Sequence, residues 1–270
     1  MSHSVLRLTE ATLAYGTRTL WSGLDLEVGA GEFVAVLGAN GSGKTSLLRA
    51  ILGLQPLRAG HVAVNGRPVR RGNDEIGYVP QQGRVDVQTT LRARDVVALG
   101  LEGHRWGIGL PSVARRRKVA AALTAVGAAD YANMPLGLLS GGEQQRVRIA
   151  QALVSDPSLL LCDEPLLSLD LTSQRVVTAL VDRRRREHET AVLFVTHEIN
   201  PVLPFVDRVL YLGRDRFRMG TVEEVMNSAT LSELHDAPIE VVRVGGRILV
   251  AGIPDTPELA HHDHHEVAVR

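Results

Sequence analysis

The sequence contains the stretch Gly38-Ala39-Asn40-Gly41-Ser42-Gly43-Lys44-Thr45, and this stretch decides the fold. It follows the apolar run Phe33 to Leu37 and leads into a helix-like segment, Ser46 to Leu52. A glycine-rich turn between a strand and a helix lets backbone N–H groups converge on phosphate oxygens, and the helix N-terminus adds its positive end. The strand–loop–helix context therefore predicts a nucleoside triphosphate site and disfavours a ligand-free turn.

The residue types in this loop each suit a task. Glycines permit the positive φ angles that turn N–H groups inward. Lys44 is expected to reach the β- and γ-phosphates, and the Thr45 hydroxyl to ligate Mg²⁺. The nucleotide contacts predicted for this segment are Gly38, Ala39, Asn40, Gly41, Ser42, Gly43, Lys44, Thr45 and Ser46.

Composition narrows the class of protein. The 270 residues carry 30 Lys plus Arg and 30 Asp plus Glu, so the net charge gives no indication of a nucleic-acid partner. Cys162 is the single cysteine and cannot form an internal disulfide, which fits a reducing cytoplasm. No apolar stretch approaches the roughly 18 residues of a membrane span. We therefore expect any membrane role to come through a partner.

The rhythm of apolar residues predicts two kinds of sheet. Alternating segments before residue 70 predict short strands of a half-exposed antiparallel sheet: Val5–Leu8, Thr12–Tyr15, Leu24–Val28 and His61–Val64, the last followed by the hairpin pair Asn65-Gly66. From about 91 to 155 the pattern is helical. Strands at 158–162, 191–196 and 208–212 then alternate with a helix at 173–187, which indicates a mainly parallel sheet with ligands at the carboxyl ends of its strands.

Two carboxylates end one of these strands. The apolar run Leu159 to Cys162 is followed by Asp163 and Glu164. Buried strands seldom end on paired acids without a cation or a proton-transfer task. We expect Asp163 to hold the Mg²⁺ shell beside Thr45, and Glu164 to orient and polarise the attacking water as general base.

Two further polar residues are placed near this site by sheet order. His197 follows the strand ending at Val195, where an imidazole can hydrogen-bond the γ-phosphate, although a lone histidine at a strand end is usually structural. Gln81 follows Tyr78-Val79-Pro80, and its amide can contact Mg²⁺ or its water. The adjacent Gln82 is an equal candidate from the sequence.

A second motif lies about a hundred residues further along. Leu139-Ser140-Gly141-Gly142-Glu143-Gln144-Gln145-Arg146 opens onto a helix that runs to Val154. Ser140 and Glu143 fit a capping box, so an ordinary well-capped helix is one reading. A helix N-terminus with two glycines is also an anion site.

Together the two motifs resemble the nucleotide-binding subunits of ATP-binding-cassette (ABC) transporters, over roughly residues 5 to 235. The resemblance implies an α/β P-loop NTPase fold with a RecA-like core, an antiparallel β subdomain and an inserted helical subdomain at about 88–157. Residues 1–235 would form the ABC ATPase domain and 236–270 a C-terminal extension. The implied cofactors are ATP and Mg²⁺.

The resemblance also implies residue roles. Gln81 would be the glutamine that senses the metal, His197 the switch histidine, and Tyr15 the aromatic that stacks on adenine, although Tyr15 also fits an ordinary strand tyrosine. Ser140, Gly141 and Gly142 would complete the ATP site of a second subunit paired head to tail. Asp170, in Ser168-Leu169-Asp170, would cross the same interface, although the preceding Leu166-Leu167 departs from the commoner family pattern.

The leading functional hypothesis is an ATP hydrolase on the cytoplasmic face of the membrane that powers a separate permease. A periplasmic or lipid-anchored solute-binding protein would be an indirect partner. The ATPases of exporters share the same catalytic motifs, so export remains an alternative function. ABC machines of DNA repair separate the motifs by a long coiled coil, whereas Lys44 and Ser140 are only 96 residues apart. A protein that only senses ATP, without hydrolysing it, would lack Glu164 or His197. Both are present, which disfavours that alternative.

The cargo hypothesis is a divalent metal, manganese or zinc. Thr196 to Pro204 and Leu231 to Leu234 resemble the ATPases of zinc/manganese-type importers. His261-His262-Asp263-His264-His265 provides ligand types that suit Zn²⁺ and related ions. A disordered polar tail or a remnant of an affinity tag is the alternative for this segment.

Overall fold

The computed structural model describes residues 4–81, 89–102 and 112–252. The strands are β1 (Ser4–Tyr15), β2 (Arg18–Gly29), β3 (Phe33–Gly38), β4 (Ala59–Val64), β5 (Arg67–Pro68), β6 (Ile76–Val79), β7 (Leu159–Asp163), β8 (Ala191–Val195), β9 (Arg208–Leu212), β10 (Phe217–Gly220), β11 (Glu240–Val244) and β12 (Arg247–Ala251). The helices are α1 (Lys44–Ile51), α2 (Ala93–Glu102), α3 (Val113–Ala125), α4 (Gly141–Leu153), α5 (Leu171–His188), α6 (Val222–Val225) and α7 (Ser228–His235).

The central sheet has the order β10-β9-β3-β8-β7-β6. Strands β9, β3, β8, β7 and β6 are parallel, and β10 is antiparallel to β9. Every residue of β7 and β8 is buried, which explains why these strands are continuous apolar runs. The predicted parallel sheet is confirmed. Its carboxyl edge brings the ends of β3, β7 and β8 together.

A second, antiparallel sheet has the order β2-β1-β4-β5. The prediction of two short strands between residues 5 and 15 is wrong, because β1 is one strand of 12 residues. Its register against β2 shifts between Leu8 and Ala11, where Glu10 has a φ of 46°. This bulge interrupts the alternation of side chains without ending the strand. The predicted hairpin is present between β4 and β5, with positive φ at Asn65 and Gly66.

Hydrophobic residues form clusters on the two faces of the central sheet. One cluster joins the central sheet to α2, α3, α4 and α5, and contains Phe33 stacked on Phe194 at 5.5 Å between ring centroids. The other fills the space between the two sheets around α1 and includes the fully buried Trp21. Both faces of the central sheet are therefore covered, as a parallel sheet requires.

The helical region lies between β6 and β7 in the chain and contains α2, α3 and α4. A β-carbon on Gly100 of α2 would collide with the carbonyl oxygen of Gln151 on α4, so these two helices pack closely. Helix α3 ends at Ala125, two residues before Gly127. Among the helices of the described ranges, none is both long and apolar enough to cross a membrane.

The described part of the C-terminal extension is the hairpin β11–β12. Ile239 and Ile248 belong to the same hydrophobic cluster as Phe194, so the hairpin packs on the core. The domain boundary placed at residue 235 stays a prediction. The predicted metal-binding segment at 261–265 lies outside the described residues.

Phe194→Ala should lower the free energy of unfolding by about 3–5 kcal/mol, because it empties a fully buried ring site in β8. Urea unfolding followed by circular dichroism measures the change. Val244→Ala is the control, since Val244 is exposed on the hairpin and should change the free energy of unfolding by less than about 0.5 kcal/mol. Equal losses in the two variants would contradict this description of the core.

Candidate functional site

The loop between β3 and α1 has the conformation that its glycines permit. Gly38, Gly41 and Gly43 have φ angles of 144°, 76° and 99°. A β-carbon on Gly38 would collide with the carbonyl oxygen of Leu212 in β9. A β-carbon on Gly43 would lie 2.8 Å from Nε1 of Trp21. The loop is therefore held between β9 and β2, and at Gly38 and Gly43 only glycine fits both the φ angle and the space.

Lys44 lies inside this loop. Its side chain donates from Nζ to the carbonyl oxygens of Gly38 at 2.7 Å and Ala39 at 3.1 Å. The residue is 6% exposed, and burial lowers the pKa of Lys44, while the nearby carboxylates of Glu164 and Asp163 act in the opposite direction. The loop thus holds the ammonium group of Lys44 among backbone carbonyl oxygens. Phosphate oxygens can replace these carbonyls as its hydrogen-bond partners.

Asp163 ends β7 and is 2% exposed. Its Oδ1 accepts from Oγ1 of Thr45 at 3.2 Å, and its Oδ2 accepts from the hydroxyl of Tyr78 at 3.3 Å. Burial raises the pKa of Asp163, and burial beside Asp163 raises the pKa of Tyr78 to about 12. An adjacent hydroxyl and carboxylate are the oxygen ligands that Mg²⁺ prefers, so these residues fit the predicted metal.

Glu164 lies where the carboxyl ends of β6, β7 and β8 come together. Its Oε2 accepts from Nε2 of Gln81 at 3.2 Å and lies 3.8 Å from Nδ1 of His197. Its backbone N–H donates to the carbonyl of Val195 in β8, and its φ is 47°. The side chains predicted from three separate segments therefore surround one carboxylate. Gln82, the other candidate for the metal-sensing glutamine, lies outside the described residues.

Gln81, Glu164 and His197 line a cavity of about 940 Å³, which Gly38, Ala39, Ser42 and Asp163 do not line. The predicted residues along it are Tyr15, Asn40, Gly41, Gly43, Lys44, Thr45, Ser46, Gln81, Glu164 and His197. Tyr15 is half exposed, and its hydroxyl contacts Oγ of Ser46 at 3.2 Å and donates to Gln55 at 2.6 Å. The hydrogen bond with Ser46 is the main cause of a lowered pKa of Tyr15.

Sequence reasoning missed three residues of this cavity, Arg18, Leu20 and Leu167, and also the hydroxyl of Tyr78 on Asp163. Arg18 pairs with Tyr15 across the turn that joins β1 to β2. The turn Tyr15-Gly16-Thr17-Arg18 was the available signal, because a cation opposite the aromatic residue faces the same side of the hairpin.

The second motif, residues 139–146, does not line the cavity that contains Lys44. Ser140 caps α4 in the predicted capping box, with reciprocal hydrogen bonds to Glu143. Asp170 caps α5 and accepts from Oγ of Ser173 at 2.7 Å. A β-carbon on Gly142 would lie 2.5 Å from that Oγ, so the N-termini of α4 and α5 are side by side. Ser140, Gly141, Gly142 and Asp170 do not line the cavity that contains Lys44.

Comparison with known proteins identifies this arrangement. The family model described as ABC transporter matches residues 21–167. The chain belongs to the ABC transporter family. Its fold is that of the ABC ATPases, and as such it is an ATP hydrolase of a transporter.

Relatives of this ABC ATPase include metal transport proteins. It is 32% identical over 230 residues to the manganese transport system ATP-binding protein MntB of Bacillus subtilis, covering 85% of this chain and 92% of the relative. It is 32% identical over 279 aligned positions to the zinc import ATP-binding protein ZnuC of Pseudomonas aeruginosa, covering 97% of each. A structure described as an inward-facing conformation of a metal-chelate type ABC transporter matches with a TM-score of 0.78 and 26% identity, covering 94% of this chain and 98% of that one.

Glu143 should make the stability of this ABC ATPase depend on acid pH. Hydrogen bonds from the Ser140 hydroxyl and backbone N–H lower the pKa of Glu143. The stabilisation is therefore complete above the ordinary glutamate pKa of about 4.3 and is lost as the pH falls through the lowered folded-state value. We expect the difference in free energy of unfolding between wild type and Glu143→Gln to shrink as the pH falls below about 4.3. A difference that is constant across urea titrations in this range would contradict the assignment.

Proposed function

We propose that this ABC ATPase hydrolyses ATP in the cavity around Glu164, as half of a head-to-tail dimer, and powers a permease that imports a divalent metal. The observation that carries the catalytic part is the shared carboxylate. Glu164 lies in one cavity with Lys44 and within reach of both Gln81 and His197. A phosphate-binding cation, a base and a polar group that orients them are the parts that hydrolysis of a phosphoanhydride requires.

Nucleotide binding follows from the loop. Lys44 exchanges its contacts with the Gly38 and Ala39 carbonyls for phosphate oxygens, while the Tyr15 ring faces the base. Thr45, Asp163 and Gln81 would hold Mg²⁺, which when bound neutralises charge on the phosphates. Tyr15 and Arg18 line the cavity and both are exposed, so this side of the cavity is accessible to a nucleotide.

Glu164 acts on the attacking water. Its carboxylate takes a proton from the water as the water oxygen bonds to the γ-phosphorus and the bond to the ADP oxygen breaks. Gln81 and His197 keep that carboxylate aimed into the cavity. His197 can also donate to the γ-phosphate, since its side chain is half exposed towards the cavity.

Glu164→Gln should lower kcat by about 10²–10⁴ and keep ATP binding, because the amide keeps the shape and loses the base. Lys44→Ala should instead weaken nucleotide binding. Steady-state phosphate release and binding of a fluorescent ATP analogue separate the two effects. Glu233→Gln, an exposed position on α7, is the control and should turn over normally. Near-normal turnover in Glu164→Gln would refute the assignment of the base.

The proposed dimer is supported by the position of the second motif, which does not line the cavity of its own chain. The N-termini of α4 and α5 lie side by side but do not line the cavity of their own chain. Apolar side chains are exposed beside each of them, Leu138 at 61% and Leu171 at 72%. A solved ATP-binding cassette 29% identical to this chain is described as dimeric in a post-hydrolysis state with ADP and Pi. We infer that a second copy presents Ser140, Gly141, Gly142 and Asp170 to the cavity of the first.

ATP should convert the Glu164→Gln variant into a dimer that light scattering detects, because binding persists when hydrolysis is slow. Ser140→Arg in the same background should prevent the dimer without unfolding the chain, since a long cation would occupy the interface. Circular dichroism checks that the fold is retained. A Glu164→Gln variant that stays monomeric at saturating ATP would count against the interface.

The permease and the metal are inferred from the relatives. Relatives named for manganese and zinc transport match most of the chain. A relative named for import of aliphatic sulfonates, from Pectobacterium atrosepticum, is 34% identical over 88% of the chain and keeps a second solute class in view. Among the residues that the structure describes, no cluster of three or more His, Cys, Asp or Glu could hold a metal ion. By analogy with the relatives named for metal transport, the metal would be cargo of the permease, and the ATPase would be peripheral on the cytoplasmic face.

Cells that lack this ATPase should need more manganese or zinc for growth and should take up less of the radioactive ion. Uptake of manganese, zinc, iron and a sulfonate is compared between deletion and complemented strains. Loss of sulfonate uptake with unchanged metal uptake would replace the metal assignment. Truncation of 260–270 in the complementing copy tests the histidine-rich segment separately.

A further inference from the structure

The loop that carries His197 is fixed at its start by the central sheet. We call residues 196–201 the histidine loop. Thr196 is buried, and its N–H donates to the carbonyl of Val36 in β3 at 3.1 Å. Its hydroxyl donates to the carbonyl of Glu198 at 2.9 Å and accepts from the N–H of Glu198 at 3.2 Å. His197 is thus enclosed in a tight turn whose first residue cannot shift without breaking the sheet.

The far end of the histidine loop is attached to the C-terminal hairpin through Asn200. Its Nδ2 donates to the carbonyl of Ile248 in β12 at 2.9 Å, and its Oδ1 accepts from the N–H of Ile248 at 2.8 Å. One side-chain amide therefore pairs with both backbone groups of one residue, as a neighbouring strand would. Ile199 and Ile248 are both buried in the same hydrophobic cluster, so this pairing lies beside apolar packing.

The hairpin is itself fixed to the body of the ATPase. The hydroxyl of Ser232 on α7 donates to the carbonyl of Ile239 at 3.2 Å and accepts from its N–H at 2.9 Å. The hydroxyl of Ser228 accepts from the N–H of Val241 at 2.9 Å. Side chains of α7 thus satisfy backbone groups of Ile239, just before β11, and of Val241 within it, while Asn200 satisfies both backbone groups of Ile248 in β12. The hairpin can act as a rigid support for the histidine loop.

We propose that Asn200 is a positioning residue for ATP hydrolysis, which holds His197 beside Glu164 by bracing the histidine loop against the C-terminal hairpin. This rests on the role proposed above for His197. Asn200 is three residues from His197, while Nδ1 of His197 is 3.8 Å from the carboxylate of Glu164, a distance that small movements of the loop change directly. Displacements of about 1 Å at a reacting centre can cost 10²-fold in rate, so the brace acts on turnover rather than on nucleotide binding.

The test measures ATP hydrolysis by the full chain with Asn200→Ala. We expect kcat to fall about tenfold with the KM for ATP unchanged, because no contact with the nucleotide is removed. Asn227→Ala is the matched control. Asn227 makes three side-chain hydrogen bonds to backbone at the N-terminus of α7, whereas Asn200 makes two, and no hydrogen bond joins Asn227 to the described residues of the histidine loop. It should lose thermal stability and keep kcat.

A double-mutant cycle separates positioning from a general loss of structure. In the His197→Ala background, Asn200→Ala should lower the rate no further, since the group it positions is gone. A single-turnover assay of phosphate release resolves the small residual rates. Should Asn200→Ala not fold, Asn200→Asp, which keeps the acceptor for Ile248 and loses the donor, enters the same cycle.

The outcomes are distinct. An unchanged kcat in the Asn200 variant, or losses that multiply in the double variant, would overturn the positioning role and leave Asn200 as an anchor of the hairpin only. An unchanged kcat in His197→Ala alone would overturn the role proposed for His197, and the brace with it. A loss in His197→Ala with none in the Asn200 variant would overturn only the brace.

Discussion

The carboxylate of Asp163 is buried at the end of a fully buried strand, and the rest of the site is arranged around it. It accepts hydrogen bonds from Thr45 on α1 and Tyr78 on β6, so it connects three elements that are far apart in the sequence. A carboxylate is costly to bury unless its oxygens have partners. The same oxygens suit Mg²⁺ as ligands. A cation bound beside Asp163, where the phosphate-binding loop leads into α1, would therefore offset the cost of burying this carboxylate.

Several neighbouring residues are also in conformations or surroundings that lower the stability of the fold. Lys44 is buried and Glu164 and Ser168 adopt positive φ, a conformation that costs non-glycine residues of order 1 kcal/mol or more. The strain at Glu164 turns its side chain towards Gln81 and His197 as the chain leaves β7. Such departures from ordinary preferences, concentrated around Glu164, are what a functional site shows when the surrounding core is well packed.

The capped N-termini of α4 and α5 combine two roles. Ser140 and Asp170 satisfy the free N–H groups of their own helices, which makes each helix stable without a ligand. Their helices still present positive ends and small residues at an exposed surface. In the proposed dimer, a second copy of the chain would therefore meet a preformed surface, and no helix would have to fold on binding.

The sequence by itself determined the phosphate-binding loop, the paired acids, the parallel sheet and the capped helix at Ser140, because each depends on neighbours within a few residues along the chain. It also placed Gln81, Glu164 and His197 at one edge, since parallel strands end on the same side. Only the tertiary structure decided that β1 is a single bulged strand, that Tyr78 donates to Asp163, and that Asn200 pairs with Ile248. The two contacts join residues 85 and 48 positions apart that packing brings together, and the bulge depends on a register shift against β2. Local preference carries no information about a partner that the chain meets only after it has folded.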